Sequence, residues 1–243
     1  MNPRHALSCY QQALHQAKLP QVRPYIIGPA LVSVLVITGG LYFTFDWVQS
    51  LTQSLDNWLP EWASWVTSIV GPLMYALSIL VSAWSFGFIA MIVGSPFLGE
   101  LSSKIENPQT TPQKWWQQLG QSLKREWRKL RYHLPRLAGL LLLGFVPVIN
   151  LFAPLLWAGF GAWMMAVQFC DFSFENRGLP FEETLATLAQ HRLGALTLGI
   201  CTTLALSIPV LNFVVAPIAT IAATLFAMSI AQQHSKEISI EHQ

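Results

Sequence analysis

Charged residues are scarce in this chain. Asp, Glu, Lys and Arg make up only 11% of its 243 residues, against about 25% in ordinary soluble domains, while hydrophobic residues make up 53%. So little charge does not cover the surface of a water-soluble protein of this size. The composition therefore excludes an ordinary soluble domain and favours one compact membrane domain over residues 1–243.

Cysteine is also scarce, and recognisable catalytic motifs are absent. Cys9, Cys170 and Cys201 lie far apart and match no zinc or redox spacing, so we expect small apolar residues and no metal site. The sequence contains no G-x-S-x-G, H-E-x-x-H, P-loop or C-x-x-C motif. The pair Glu182-Glu183 follows Pro180 and is typical of a helix start, where acids complement the helix dipole. We therefore expect no enzyme and no cofactor.

Two long apolar runs are present in the first part of the chain. Residues 25–48 and 65–93 are each longer than the ~20 residues that a helix needs to cross a bilayer, which predicts two spanning helices. Residues 46–64, between them, carry three acids and no Lys or Arg, with tryptophans that suit a membrane–water interface. Together these features predict a multi-pass protein whose first loop lies on the outer side of the membrane.

Basic residues are concentrated after the second apolar run. The segment 94–136 holds eight of the fourteen Lys and Arg residues, so the positive-inside rule places it in the cytoplasm together with the N-terminus. Within it, Ser95 is a good N-cap for a helix over 96–106. An amphipathic helix over 112–134 follows, packed on the bilayer or on the protein's own membrane domain. A role in drawing anions to an entrance is the alternative for this helix.

Two later apolar stretches are each interrupted by nearly the same four residues. The stretch 137–167 contains Pro147-Val148-Ile149-Asn150, and the stretch 195–231 contains Pro209-Val210-Leu211-Asn212. Each interruption leaves arms that are shorter than, or barely as long as, one membrane crossing. We predict two re-entrant helical hairpins that only partly penetrate the bilayer. Kinked helices that cross it fully are the alternative.

Arg23 and Ser95 define a candidate anion-binding site at the cytoplasmic surface. Arg23 precedes the first spanning helix, and Ser95 marks the predicted helix start after the second. Because the two spanning helices are antiparallel neighbours, the two places can meet. The Arg23 guanidinium and free N–H groups of Phe97, Leu98 and Gly99 would then hold an oxyanion. The alternative is that Arg23 only anchors the topology and Ser95 only caps a helix.

The predicted hairpin tips give a second candidate, a path through the membrane. The returning arms start near Asn150 and Asn212, so positive helix ends would lie near mid-membrane and stabilise an anion without a buried cation. The alternative is that each Asn merely caps its own arm. Arg125, Glu126 and Arg136 lie near the cytoplasmic face, where a Glu–Arg pair would either gate this path or brace the amphipathic helix.

Several short motifs occur together in this chain. They are Val22-Arg23, Ser95-Pro96-Phe97, Lys124-Arg125-Glu126-Trp127, Tyr132-His133-Leu134-Pro135-Arg136, Gln168-Phe169-Cys170-Asp171, Phe174-Glu175-Asn176, and Pro209-Val210-Leu211-Asn212 with Ala216-Pro217. With these motifs the chain resembles the CysZ-type sulfate permeases of bacterial inner membranes along nearly its whole length. The resemblance implies sulfate uptake for cysteine synthesis, an oligomeric assembly, and two spanning helices plus two partly penetrating hairpins. Family members often carry two adjacent arginines before the first helix, where this chain has Arg23 followed by Pro24.

The function predicted from the sequence is sulfate uptake across the bacterial inner membrane. Sulfate is a strongly hydrated dianion, so a path must replace part of its water by N–H and guanidinium donors and still release it. The expected partners are sulfate, the lipid bilayer and further copies of the chain, and we expect no nucleic acid. A scaffold or assembly factor that transports nothing and a membrane enzyme acting on lipids are the rivals. A passive pore and a proton-coupled carrier both stay open.

Overall fold

The protein is helical throughout the part that the structure describes. The structure is a computed structural model, and it describes residues 2–20, 22–60, 65–109, 115–207 and 212–241. The helices in these residues are α1 (Pro3–Gln16), α2 (Arg23–Trp58), α3 (Trp65–Glu106), α4 (Trp115–Leu143), α5 (Pro147–Asn150), α6 (Ala153–Asn176), α7 (Phe181–Gln190), α8 (Arg192–Leu206) and α9 (Asn212–Glu241). The predicted all-α class is confirmed.

Three stretches of the described residues are long and apolar enough to cross a membrane. They are Trp65–Ser82 in α3, Ala153–Asn176 in α6 and Val214–Gln233 in α9. Trp65–Ser82 is only 6% buried inside the protein, so its apolar side chains need a non-aqueous surrounding. By length and composition these helices identify a membrane protein.

The described chain forms two compact units. One contains residues 28–94, and the other contains residues 1–27 and 95–243. In the first unit, α2 and α3 run antiparallel: Thr44 bonds to Ser82 at 3.5 Å, and the Phe45 and Tyr75 rings lie 5.7 Å apart. The predicted pair of antiparallel helices is therefore present, although α2 extends ten residues beyond the predicted end at Val48. Residues 49–58 are polar but contain no Gly or Pro, so nothing in them stops the helix.

The predicted break at Gly94-Ser95-Pro96 is wrong. Helix α3 continues without interruption from Trp65 to Glu106 and contains all three residues. A proline inside a helix removes a single backbone N–H donor, and the loss is tolerated where surrounding packing holds the helix together. Ser95 and Pro96 are both buried, which is the packing that supports the continuous helix.

The predicted boundary between the amphipathic helix and the first apolar stretch is also absent. Residues 112–114, the predicted start of that helix, lie outside the described residues. From Trp115 the helix α4 runs through the basic segment, contains Pro135 and ends at Leu143. The basic, amphipathic part and the first arm of the apolar stretch 137–167 are thus one helix.

The stretch 137–167 is interrupted, as predicted, and the chain reverses direction there. Residues 144–146 and 151–152 are turns that flank the short helix α5. Helices α4 and α6 then run antiparallel, because Tyr132 contacts Trp163 through a 3.2 Å hydrogen bond and His133 stacks edge-on against Phe160. An uninterrupted rod over 137–167 is excluded by these contacts.

The second interrupted stretch, 195–231, also contains two helices that pack against each other. Helices α8 and α9 pack on each other and are joined by only five residues, so they are antiparallel. The predicted break at Pro209-Val210-Leu211 lies outside the described residues. The backbone is helical from Asn212 onward and stays helical through Pro217, where a continued break was predicted.

Small residues allow the helices of the second unit to approach closely. A Cβ atom on Gly199 of α8 would lie only 1.8 Å from the carbonyl oxygen of Ala162 in α6, so these two backbones touch. Helix α1 packs on α8 and α9 and buries Ala6, Cys9 and Ala13. Such small-residue contacts are the usual way in which helices associate in a membrane.

Candidate functional site

Arg23, the predicted sulfate ligand, is the first residue of α2, and its side chain is exposed. Two residues later, the Tyr25 hydroxyl donates a 3.0 Å hydrogen bond to Glu100 of α3. This bond places the first turn of α2 beside the segment of α3 that follows Ser95. The structure thus brings together the two segments in which the inner anion site was predicted, although Glu100 adds a negative charge to the same neighbourhood.

The second half of the predicted anion site differs from expectation. Ser95 caps no helix: it is buried, and its hydroxyl donates to Oε1 of Glu126 at 3.3 Å. Phe97, Leu98 and Gly99 lie inside the continuous helix α3, where backbone N–H groups bond to carbonyls one turn earlier. They are therefore not free to bind an anion, and this part of the prediction is corrected.

A buried cluster of charged residues lies where α4 meets α6. We call Arg125, Glu126, Lys129 and Asp171 the charge cluster. Arg125 donates two parallel hydrogen bonds to Asp171, from Nε to Oδ2 at 2.8 Å and from Nη2 to Oδ1 at 2.7 Å. Asp171 is fully buried, and Arg125 is 8% exposed. A bidentate pair of this kind fixes the orientation of both side chains as well as their distance.

Lys129 completes the cluster from the next turn of α4. Its side chain is 2% exposed, and its Nζ lies 3.0 Å from Oε1 of Glu126 and 3.3 Å from Oδ2 of Asp171. The ammonium also lies 4.8 Å from the centre of the Phe172 ring. With two cations and two carboxylates, the charge cluster is balanced, as buried ions must be.

Within the described residues, Glu126 receives all of its hydrogen bonds on one oxygen. Its Oε1 accepts from Ser95, from Lys129 and from Gln168 of α6, the last at 3.0 Å. Its Oε2 is buried and has no hydrogen-bond partner within the described chain. Glu126 consequently ties α3, α4 and α6 together, and it does not pair with Arg125.

Arg125 also connects the cluster to α7. Its Nη1 donates to the Leu179 carbonyl at 2.8 Å, and Thr184 donates to Oδ1 of Asp171 at 2.8 Å. Burial by itself lowers the pKa of Arg125, but the hydrogen bond and charge of Asp171 outweigh it and hold that pKa above its ordinary value. The guanidinium therefore stays charged at every physiological pH.

Arg136 is not part of the charge cluster. It is exposed, donates to the carbonyl of Tyr132 at 2.6 Å, and places its guanidinium 3.6 Å from the centre of the Tyr132 ring. The neighbouring His133 is buried, and neither of its nitrogens has a partner among the described residues. Burial, with smaller effects of Arg136 and Lys129, lowers the pKa of His133 to about 4, so its ring is neutral at neutral pH.

The first predicted tip residue, Asn150, is exposed at the end of α5. Apolar side chains surround it in the chain, and Phe145, Val148 and Leu151 are 84%, 76% and 78% exposed. A turn with this surface is stable against lipid or another protein surface rather than in water. For the second tip, only the backbone of Asn212 is described, as the first residue of α9.

Sequence reasoning missed two members of the charge cluster, Lys129 and Asp171. The sequence position of each residue could have indicated its role. Lys129 lies four residues after Arg125 and so on the same face of α4. Asp171 is a lone acid next to a long apolar run, a position that calls for a buried partner. No group of His, Cys, Asp and Glu in the described ranges is arranged to hold a metal ion.

Known proteins resemble this chain over most of its length. Residues 9–217 match the family described as Sulfate transporter CysZ/Etoposide-induced protein 2.4. Proteins named Sulfate transporter CysZ from Salmonella typhimurium, Salmonella paratyphi A and Salmonella typhi are each 32% identical over 230 residues, which cover 91% of this chain and 91% of theirs. The resemblance seen in the sequence motifs is confirmed, and the chain belongs to the Sulfate transporter CysZ/Etoposide-induced protein 2.4 family.

Proposed function

We propose that this protein takes up sulfate across the bacterial inner membrane and so supplies sulfur for cysteine synthesis. The observation that carries the proposal is the 32% identity to proteins named Sulfate transporter CysZ over 91% of both chains. Long apolar helices fit a protein that works within a bilayer.

The N-terminus and the basic part of α4 lie in the cytoplasm in this proposal. The antiparallel pairs α4/α6 and α8/α9 are two hairpins that enter the membrane from that side and return. The interruption at residues 144–152 and its exposed apolar side chains support a tip that lies in a non-aqueous surrounding. A hairpin that stops partway cannot seal a pore alone, so several copies of the chain would enclose the path.

Arg23 is the proposed sulfate ligand at the cytoplasmic end. Its guanidinium is exposed and forms no ion pair with the acids in the described chain. Asn150 and Asn212 are the proposed path-lining residues, since each lies just before or at the start of a returning helix, α6 or α9. The amide groups and helix starts there would offer donors to the dianion.

Arg125 and Glu126 have a different role in this proposal, because both are committed to partners. Two cations and two carboxylates at these distances leave no net positive charge to attract sulfate. We assign them to bracing, in which they hold α4 against α6 and α3 beneath the first hairpin.

Sulfate flux into proteoliposomes tests the proposal. Purified full-length protein should admit radiolabelled sulfate in a saturable manner, and repeating the assay with a pH gradient separates a passive pore from a proton-coupled carrier. Arg23→Ala should weaken sulfate binding, because one guanidinium bound to a dianion contributes about 1.5–3 kcal/mol. Arg4→Ala removes an exposed arginine from α1 and is the matched control.

Two results would argue against the proposal. Absence of saturable flux from correctly folded protein would favour a scaffold that transports nothing. Equal sulfate affinity in Arg23→Ala and the unchanged protein would remove Arg23 from the site while leaving transport itself standing.

A further inference from the structure

Four helices line an open groove that has no part in the proposed transport of sulfate. Its volume is about 500 Å³, and its walls come from α4, α6, α7 and α8. Tyr132 and Trp163 form one side, where the indole N–H donates to the Tyr132 hydroxyl at 3.2 Å. Leu185, Ala189 and Leu196 make most of the remaining surface apolar.

Two guanidinium groups are associated with this groove, one in its lining and one on the ring of a lining residue. Arg192 lines it directly, and its Nε donates to the Ala189 carbonyl at 3.0 Å, which leaves its terminal nitrogens available. Arg136 lies over the Tyr132 ring. Both side chains are exposed, and within the described residues neither forms an ion pair. Two exposed guanidinium groups that are not committed to carboxylates can together bind an anion.

The two arginines also mark the level at which both hairpins become apolar. Arg136 directly precedes the apolar part of α4, and Arg192 is the first residue of the apolar helix α8. In a bilayer this boundary is where lipid phosphates lie. The groove therefore presents positive charge at headgroup depth.

An apolar row continues from the groove along α8. Leu196, Ile200 and Leu204 follow Arg192 at intervals of four residues and so lie on one face of the helix. Ile200 is 48% exposed and Leu204 is 66% exposed. The nine residues from Leu196 to Leu204 span about 12 Å along the helix axis, and the apolar row over this length is long enough to align much of an acyl chain.

We propose that this groove is a binding site for one anionic glycerophospholipid. Its phosphate is held by Arg136 and Arg192, its glycerol region lies against Tyr132 and Trp163, and an acyl chain follows the apolar row on α8. A zwitterionic lipid fits the apolar row equally well but brings a positive headgroup to the two arginines. The site thus selects net negative charge, and it is independent of whether the protein transports sulfate.

Lipid titration of the detergent-solubilised full chain, read by native mass spectrometry, tests this site. Phosphatidylglycerol should bind at least about fivefold more tightly than phosphatidylcholine with the same acyl chains, since one basic residue near a lipid surface contributes about that factor. Arg192→Gln should weaken phosphatidylglycerol binding by about fivefold, and the double variant with Arg136→Gln should bind both lipids equally. Ala189→Trp, which fills the groove, should weaken both lipids.

Arg131→Gln is the matched control, because Arg131 is an exposed arginine of α4 that does not line the groove and, unlike Arg136, does not lie over the Tyr132 ring. It should retain the preference for phosphatidylglycerol. Equal loss in Arg131→Gln and Arg192→Gln would show diffuse attraction to a basic surface and would overturn the site. Persistence of the preference in the double variant would also overturn it, as would complete displacement of the lipid by millimolar inorganic phosphate. Unchanged circular dichroism ensures that each variant is folded.

Discussion

At the scale of single residues, the contacts of the charge cluster hold α4 against α6 at the end of the first hairpin that lies away from its turn. Asp171 has no exposed surface, accepts hydrogen bonds from Arg125 and Thr184, and forms an ion pair with Lys129. Buried ions of this kind add little net stability when complete, but removing one partner leaves an uncompensated charge. A packing of α4 on α6 that separated Arg125 from Asp171 would therefore be disfavoured.

Asp171→Asn tests the bracing role. The substitution preserves shape but removes the carboxylate that pairs directly with both Arg125 and Lys129, so we expect a loss of about 3–5 kcal/mol. A lower thermal unfolding midpoint in detergent would report it. Glu183→Gln, which neutralises an exposed acid in the first turn of α7, is the control and should change the midpoint little. Equal midpoints for the two variants would show that the cluster does not brace the fold.

At the scale of helices, α6 and α8 approach each other so closely at Gly199 that no side chain fits between their backbones. Gly199→Ala would place a methyl group 1.8 Å from the Ala162 carbonyl oxygen, and backbone atoms cannot yield as a flexible side chain would. Overpacking of this kind destabilises by about 1–3 kcal/mol or more. We expect a lower unfolding midpoint and less folded protein in the membrane.

Gly159→Ala is the matched control, because it lies in α6 and a Cβ atom there meets nothing within 4 Å. It should leave the midpoint unchanged or raise it, since alanine favours a helix by up to about 1 kcal/mol over glycine. If Gly199→Ala behaves like Gly159→Ala, then α6 and α8 are farther apart than the structure places them.

The sequence was sufficient to predict the helical class, the antiparallel pair in residues 28–94 and the interruption of 137–167. These three features follow from long apolar runs and from the prolines within them, and both can be recognised in a short stretch of sequence. The helix start at Ser95 was predicted wrongly from an equally local signal, Ser followed by Pro. Tertiary contacts decide that case, because burial of Ser95 against Glu126 supports a helix that passes through the proline. Long-range pairs such as Arg125 with Asp171 have no local signature of their own.

At the scale of the whole molecule, the side from which the hairpins enter the membrane distinguishes the two topologies that the sequence left open. In re-entrant hairpins, α7 lies on the same side as the N-terminus and the basic part of α4. In fully crossing helices, α7 lies on the opposite side. Since α7 is tied to α4 by the bond from Arg125 to the Leu179 carbonyl, just before α7 begins, we expect both on the cytoplasmic side.

Cysteine labelling resolves this question in a variant in which Cys201 is replaced by alanine, since Cys9 and Cys170 are already buried. Glu182→Cys is a better site than a cysteine at Gly178, whose φ of +72° strains any other residue. A membrane-impermeant maleimide should label Cys at 182 only in inside-out vesicles, whereas Asp56→Cys, near the end of α2, should be labelled only in right-side-out vesicles. Labelling of both positions from the outside would mean that 137–167 crosses the bilayer completely. The proposed path through partly penetrating tips would then be lost, and so would the pairing of Arg125 with Asp171, because the two residues would lie on opposite sides of the bilayer.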